Sequence, residues 1–189
     1  MKESKRVCHQ LHLPVQSGST SVLHRMNRDY SREDYLQIIK NLRKLMPDIY
    51  LSTDIIVGFP GESDKEFQET MSLLEEIQFT NIFSFRYSPR PLTKAEKNKS
   101  EVPFAVKKER LMAVQNLQKN IQIDSNQSLV GSTIRVLCTG RSKKNPQVYS
   151  GRNVGYQVIN FSSEKEVMDH FVDVHITSYG PYSLRGHTL

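Results

Sequence analysis

The sequence predicts an α/β fold of parallel strands joined by crossover helices, followed by a small antiparallel β-barrel. Strand-like and helix-like segments alternate from the start of the chain to about Pro103, which is typical of a parallel sheet with right-handed crossovers. A long helical pattern follows, and after Gly131 short β segments are separated by glycine and asparagine turns. We therefore expect two domains, 1–126 and 127–189.

The first domain is expected to contain three strands with a helix between each pair. The strands are short and alternate apolar with polar residues, and in chain order they read HQLHLPVQ, IYLSTDIIVG and NIFSFRYS. The helices SREDYLQIIKNLRKLM and SDKEFQETMSLLEEI begin after the N-cap residues Ser31 and Ser63. Each serine has an acid three residues later, Asp34 or Glu66, so a capping box can form at both helix starts.

A long connecting helix leads into the second domain. AVKKERLMAVQNLQKNIQIDSNQS carries Leu111, Val114, Leu117 and Ile121 along one face. The β segments that follow read STIRVLCTG, QVYSGRN, GYQVINF, HFVDVHITSYG and YSLRGHTL. Five short strands within about sixty residues, with turn residues between them, predict a small barrel.

Composition limits the possible partners. The chain has 26 lysine and arginine residues against 20 acids, and the resulting net charge of +6 favours an anionic partner such as nucleic acid. Its apolar runs are too short to cross a bilayer, and its N-terminus lacks the apolar segment of a signal peptide. We expect a cytoplasmic protein with no membrane partner. Cys8 and Cys138 lie far apart, so we expect no metal or cluster site built from them.

Each predicted strand of the first domain has a polar side. We expect these polar sides to face inward, around a polar ligand, because a purely structural parallel sheet would be apolar on both faces. The sets are His12, Pro14 and Gln16 on the first strand, Ser52, Asp54 and Ile56 on the second, and Ser84, Arg86 and Ser88 on the third.

Asp54 stands within the apolar second strand, which ends in the turn GFPGE. A buried carboxylate is costly unless it is paired or bound to a ligand. Asp54 can pair with a neighbouring arginine such as Arg86, or it can face a ligand at the carboxyl end of the sheet. Gly58 and Gly61 would let the backbone approach that ligand, although Pro60-Gly61 is also consistent with an ordinary turn.

Four motifs follow one another along the first domain: HLPVQSGS, MNRDYSREDY, STDIIVGFPGES and RYSPRP. Together with the terminal region from VGSTIRVL to SLRGHTL, they resemble the C-terminal half of the radical S-adenosylmethionine methylthiotransferases, whose last domain is the RNA-binding TRAM domain. The resemblance is greatest to the MiaB-type branch, which methylthiolates isopentenyl-adenosine beside the tRNA anticodon. It implies that the first domain is the last part of a TIM-like partial barrel.

The resemblance also implies a set of residues that bind the cofactor S-adenosylmethionine. DIIVGFPGE matches the motif that packs the cofactor's adenine, and Arg28 would meet the cofactor's carboxylate as a bidentate partner. Gln16 and Ser17 match the strand end that faces the cofactor. The full expected set is Gln16, Ser17, Arg28, Asp54, Ile56, Gly58 and Glu62.

The family's radical chemistry requires cysteines that this sequence does not contain. The CxxxCxxC ligands of a 4Fe-4S cluster and the three cysteines of an auxiliary cluster are expected upstream, and Cys8 and Cys138 match neither set. We therefore assign no catalytic or metal-binding residue to this chain. We expect it to be inactive alone, with the missing N-terminal half of the same enzyme as a partner.

The second domain is expected to dock the tRNA anticodon stem-loop, and we expect no DNA partner. Arg141, Lys143, Lys144 and Arg152 are expected to contact the phosphate backbone, and Arg86 and Arg90 to meet the target nucleotide. Three aromatic residues could stack bases or belong to the barrel core, namely Tyr149, Tyr156 and Phe161.

Four alternatives remain open at this point, the last of them a product that does not fold, because an open half-barrel would expose strand edges. A sister methylthiotransferase that modifies a ribosomal protein is one, although a basic substrate would favour an acidic docking surface. A second sister enzyme acts on threonylcarbamoyl-adenosine. The third alternative is an RNA-binding fragment without catalysis, which the missing cysteines favour.

Overall fold

The structure is a computed structural model that describes residues 3–4, 6–89, 91, 100–143 and 145–189. The chain forms two compact units, one containing Leu11–Gln118 and the other Lys119–Leu189 with residues up to Gln10. Each unit has its own hydrophobic core. No helix in the described ranges is long and apolar enough to cross a membrane.

The first unit is built on a three-stranded sheet with the order β1-β2-β3. β2 and β3 are parallel, and the register pairs Asp54 with Phe83. The bridge between Gln16 and Ile55 is also parallel and continues the first strand beyond β1. The elements that precede the barrel are β1 (Gln10–His12), α1 (Thr20–Arg25), α2 (Arg32–Leu45), β2 (Tyr50–Val57), α3 (Asp64–Ile77), β3 (Asn81–Arg86) and α4 (Phe104–Gln127), and the last residues of α4, from Lys119, belong to the other unit.

The predicted α/β order is confirmed, and the helix starts explain why. Ser31 and Ser63 both form complete capping boxes, with Asp34 and Glu66 as the reciprocal acids. The short helix α1 was not predicted, since only Val22 and Leu23 are buried within its six residues. So short a segment carries little periodic signal.

One side of β2 forms the centre of the first core. Leu51, Thr53, Ile55 and Val57 are almost fully buried, as the alternation of the strand predicts. The residues packed around them come from α2, α3 and α4, including Ile39, Leu74 and Val114. The opposite side of β2 carries Asp54 and Ile56, which are only partly buried.

The second unit contains a closed five-stranded barrel with the order β4-β5-β6-β8-β7. Its strands are β4 (Thr133–Arg141), β5 (Tyr149–Arg152), β6 (Val158–Ser162), β7 (Phe171–Tyr179) and β8 (Leu184–Thr188). All five predicted strands are present. The expectation of an antiparallel barrel needs one correction, because β6 and β8 pair in parallel to close it.

Candidate functional site

A polar cluster lies on the open side of the sheet in the first unit. The His12 ring contacts Ser52 through Nδ1, 3.0 Å from Oγ, and Asp54 through Nε2, 3.4 Å from Oδ1. The same ring meets Phe83 edge-on, with 5.7 Å between centroids. Asp54 keeps 30% of its side chain exposed. The predicted ligand-facing side of β2 is therefore accessible. The partner of Asp54 is His12 and not Arg86, the partner considered from the sequence.

The side of β3 that shares this surface is aromatic, which corrects the expectation of a polar one. The register pairs Asp54 with Phe83 and Ile56 with Phe85, and paired residues of parallel strands point to the same face. Both phenyl rings are about half exposed. Arg86 lies on the other face, where its guanidinium sits 4.6 Å from the ring centroid of Phe104. It is thus separated from Asp54 by the sheet.

The strand-end residues Gln16 and Ser17 differ in burial, since Gln16 is partly exposed and Ser17 is buried. Gln16 adopts a left-handed backbone conformation, with φ of 72°, which costs a non-glycine residue about 1 kcal/mol or more. Backbone bonds to Asp54 and Ile56 hold it there. Ser17 is fully buried, and its hydroxyl lies 3.2 Å from that of Thr70. Ser17 therefore anchors the strand end to α3 and does not reach the ligand-facing side.

Residues of α4 contact the GFPGE turn and hold its conformation. Glu62 accepts hydrogen bonds from the Gly58 amide at 2.7 Å and from Arg110 Nη1 at 2.6 Å. Gly58 has φ of 70°, and a Cβ there would overlap the Cγ of Lys107. Gly58 and Glu62 therefore make their contacts with other residues of the protein. Both residues fix the shape of the turn at the end of β2, and their expected contact with the cofactor stays a prediction.

Glu62 is almost completely buried, and its burial raises the pKa of the carboxyl group above the usual range. The Gly58 amide and Arg110 counteract this by stabilising the carboxylate. Arg110 also donates to Asp64 at 2.6 Å. The ion pair is thus the link between the turn and α4.

Arg28 is exposed and lies close to Tyr30. Burial raises the pKa of Tyr30, and the positive charge of Arg28 partly offsets this effect. The Tyr30 hydroxyl donates to the carbonyl of Val15 at 3.1 Å, at the end of the first strand. Arg28 is therefore available to an anionic ligand in the neighbourhood of the strand ends.

The accessible residues fit S-adenosylmethionine in part. Asp54 offers a carboxylate acceptor for hydroxyl or amino groups, Ile56 an apolar contact for a ring, and Arg28 a cation for a carboxylate. Gln16 adds a side-chain amide at the strand end. Sequence reasoning did not single out His12 or Phe83 as site residues, although His12 lies on the same predicted strand side as Gln16. The pairing of Phe83 with Asp54 depends on register, which no local signal reveals.

A basic concave surface of about 860 Å³ lies on the barrel of the second unit. We call it the basic groove, and it is defined by four cationic residues and several polar ones. No carboxylate is among the lining residues that the structure describes. The cations are Arg141, Lys143, Arg152 and Arg185, and the polar residues include Ser142, Asn145, Ser150, Asn160, Ser162 and Ser183.

Three of the predicted phosphate-binding residues thus meet in one groove, and the structure adds Arg185 of β8. Two further predicted residues, Arg90 and Lys144, lie outside the described residues. Arg185 was missed because its strand pairs with β6, which is distant in sequence. Converging cations without acids are suited to a run of phosphates.

Arg141 is held in place by the barrel core. Its guanidinium stacks on the Tyr149 ring at 3.6 Å, donates to the Tyr149 hydroxyl at 2.6 Å, and lies 3.5 Å from a carboxylate oxygen of Glu166. The Met168 amide, the Tyr149 hydroxyl and Arg141 keep the pKa of Glu166 below its usual range. Glu166 is therefore an anion at neutral pH and lies close enough to attract the Arg141 guanidinium.

The three aromatic residues considered for base stacking differ in their exposure to solvent. Tyr149 and Phe161 are buried and stack on each other with 5.8 Å between centroids, so they belong to the barrel core. Their alternative role in stacking bases is not available. Tyr156 is 61% exposed and remains a candidate.

The described residues contain no group of three or more histidine, cysteine, aspartate and glutamate side chains that could hold a metal ion. Cys8 is exposed, Cys138 is buried, and both are free thiols.

Two protein-family models match different parts of the chain. Residues 1–74 match the Radical SAM superfamily model, and residues 127–189 match the TRAM domain model. Curated relatives named tRNA-2-methylthio-N(6)-dimethylallyladenosine synthase match nearly the whole chain. The chain is homologous to these synthases and spans 35% to 42% of the length of the three relatives described next.

The synthase of Acetivibrio thermocellus is 40% identical over 186 residues, which is 98% of this chain and 39% of the relative. That of Legionella pneumophila strain Corby is 46% identical over 187 residues, covering 99% of this chain and 42% of the relative. That of Bacillus cereus strain B4264 is 46% identical over 176 residues, covering 93% and 35%.

Proposed function

We propose that this chain is part of a radical SAM tRNA methylthiotransferase that adds a methylthio group to carbon 2 of N6-dimethylallyladenosine next to the anticodon. The observation that carries the proposal is identity of 40% to 46% with synthases of that name over 93% to 99% of the chain. The domain division 1–126 and 127–189 belongs to the proposal, and the start of the TRAM match at residue 127 supports it. We expect the enzyme to act in the cytoplasm.

In this proposal the first domain supplies one wall of the S-adenosylmethionine site. Gln16, Arg28, Asp54 and Ile56 would contact the cofactor, and the buried pair of Glu62 and Arg110 would hold the turn at the end of β2. The cofactor, with iron–sulfur clusters, would supply the radical and the methyl group. The sequence has only two cysteines, so the cluster ligands would come from outside this chain, and the chain alone would be inactive.

The second domain would dock the tRNA anticodon stem-loop through the basic groove. Arg141, Lys143, Arg152 and Arg185 supply converging cations, and the phosphate backbone is the complementary ligand. This surface also favours an RNA substrate over a basic ribosomal protein, since like charges would repel. Of the two arginines predicted to meet the target nucleotide, Arg86 faces the other side of the sheet from Asp54, so we keep only Arg90 as a proposed contact of that nucleotide, which must leave its stack to react.

Binding of the full chain to an anticodon stem-loop bearing isopentenyl-adenosine, measured across a salt series, tests the docking role. We expect binding to weaken steeply with salt, and Arg152→Ala or Lys143→Ala to reduce both the affinity and the salt slope. Arg135→Ala is the matched control, because Arg135 is an exposed cation of β4 that does not line the groove. Absence of binding at low salt by a folded sample would contradict the docking role.

A second candidate function is RNA binding without catalysis, which the cysteine count favours for this chain taken alone. Combining the chain with a polypeptide that carries the cluster cysteines separates the two functions. Methylthiolation of the stem-loop by the combination supports the enzyme. A stem-loop with threonylcarbamoyl-adenosine, offered in parallel, tests the sister specificity.

A further inference from the structure

Tyr156 is presented on the barrel surface with one ring face covered and the rest largely open. The Arg152 guanidinium lies 4.0 Å from the centroid of the ring, and Arg152 Nη1 donates to the Tyr156 carbonyl at 2.8 Å. The side chain is nevertheless 61% exposed. A bulky aromatic residue left this open in an ordered loop has room for a planar ligand on its free face.

The loop between β5 and β6 is built to hold this position. Tyr156 has a positive φ of 66°, a conformation that a bulky residue rarely adopts. Buried Asn153 enforces it, because its side chain accepts from the amides of Gly155 at 3.0 Å and Gln157 at 2.9 Å. The Gln157 side chain is bonded in turn to Asn153 and to Asn126 of α4. The surrounding hydrogen bonds thus offset the backbone strain at Tyr156.

Tyr156 is not itself among the residues that line the basic groove, but Arg152 connects it to that groove. Arg152 lines the groove and contacts the Tyr156 ring, and Val158, the residue paired with Arg152 across the hairpin, lines it as well. One arginine therefore connects the ring to the phosphate-binding surface. A nucleotide in the groove would bring its base near this ring, since a base and its phosphate are a few ångströms apart.

We propose that Tyr156 stacks an unpaired nucleobase of the RNA whose backbone lies in the basic groove. The inference rests on the proposed RNA-docking function and narrows it, because a base inside a duplex has no free face to offer. The barrel would thus select single-stranded or loop nucleotides and would not hold a regular stem through its phosphates alone. Stacking tolerates any base, so the preference is for unpaired structure and not for one sequence.

Binding of the full chain to a short single-stranded oligoribonucleotide and to the same strand in a duplex tests this. We expect tighter binding to the single strand, and a loss of about tenfold in its affinity for Tyr156→Ala with an unchanged salt slope. Tyr156→Phe should retain the affinity, since the ring remains. Phe171→Ala is the matched control: Phe171 is equally exposed at 62% and also lies beside an arginine, but that arginine, Arg135, does not line the groove, whereas Arg152 does.

A direct readout of stacking is available because the chain contains no tryptophan. Tyr156→Trp introduces a single indole, whose fluorescence should be quenched by the oligoribonucleotide and not by an abasic oligomer of the same charge. Phe171→Trp should respond to neither. Circular dichroism and thermal melting establish that each variant is folded.

The outcomes distinguish the proposed RNA docking from the proposed base stacking on Tyr156. If the parent chain binds the single strand and Tyr156→Ala binds as tightly, or the Trp variant responds equally to the abasic oligomer, stacking is overturned while RNA docking stands. Preference for the duplex also overturns the inference. If the parent chain binds neither RNA, both the docking function and the stacking inference fail.

Discussion

Arg110 of α4 and Glu62 of the GFPGE turn form a buried ion pair, with 2.6 Å between Nη1 and Oε2 and almost no exposure of either side chain. Because Glu62 also accepts the Gly58 amide, this pair ties the end of β2 to a helix that begins more than forty residues later. A turn fixed in this way keeps the neighbouring strand-end residues in one arrangement.

Replacing Arg110 should therefore destabilise the first unit. Arg110→Ala leaves Glu62 charged and buried without its partner, and we expect a loss of about 3–5 kcal/mol in the free energy of unfolding. Glu62→Gln retains an acceptor for the Gly58 amide but leaves Arg110 paired only with Asp64, so a smaller loss is expected. Urea unfolding followed by circular dichroism measures both. Lys108→Ala, an exposed neighbour on α4, is the control. An equal effect of Lys108→Ala and Arg110→Ala would refute the importance of the pair.

The N-terminus of α3 should make stability depend on pH. Hydrogen bonds from Arg25 and from Ser21 and Ser63 lower the pKa of Glu66 from 4.5 to about 2. The stabilisation is therefore complete above pH 4.5 and is lost as the pH falls towards 2, because the unfolded chain takes up the proton first. Thermal melting of the parent and of Glu66→Gln between pH 6 and pH 2 should show a difference that shrinks over this interval.

The difference in melting temperature between the parent and Glu66→Gln reports on Glu66 alone. Glu62 is present in both proteins, and its raised pKa changes stability with pH in the opposite direction. Glu75→Gln on the exposed side of the same helix serves as the control. A parent-to-variant difference that stays constant down to pH 2 would rule out this account of Glu66.

Gly186 should be required for closure of the barrel. It lies in β8, where a Cβ would overlap the carbonyl oxygen of His175 on the paired strand β7. The neighbouring atom is backbone and cannot move aside, so we expect Gly186→Ala to cost about 3 kcal/mol or more. Gly180→Ala is the matched change in the same unit, since its Cβ would find its nearest neighbour at 3.6 Å. Similar melting temperatures for the two variants would be inconsistent with the close approach.

Removing the charge of Glu166 should strengthen RNA binding. Glu166 lies 3.5 Å from Arg141, and an exposed ion pair of this kind is weak enough for a phosphate to displace it. With Glu166→Gln, Arg141 is free to pair with phosphate, and we expect affinity for the stem-loop to rise by about twofold to fivefold at low salt. Glu164→Gln removes the same charge from a nearby exposed residue without a contact to Arg141. If both variants gain equally, the effect is one of net charge and not of competition for Arg141.

Apart from the short helix α1, the sequence was sufficient for the order of elements and for the starts of α2 and α3. Ser31 and Ser63 form the predicted capping boxes because capping depends on residues three apart in the chain. The strand alternation of β2 likewise predicted which residues are buried. The parallel pair of β6 and β8 was not predicted, since no turn links these strands and only barrel closure brings them together.

The sequence by itself determined the α/β order and the five barrel strands. It also carried the resemblance to the radical S-adenosylmethionine methylthiotransferases and supplied the basic residues that are candidates for RNA binding. Only the tertiary structure decided that Glu62 and Ser17 turn inward while His12 and Phe83 border Asp54. It also decided that cations from β4, β5 and β8 and the loop after β4 share one groove. The physical reason is that capping and alternation are local, whereas burial and strand register depend on packing between residues far apart in the chain.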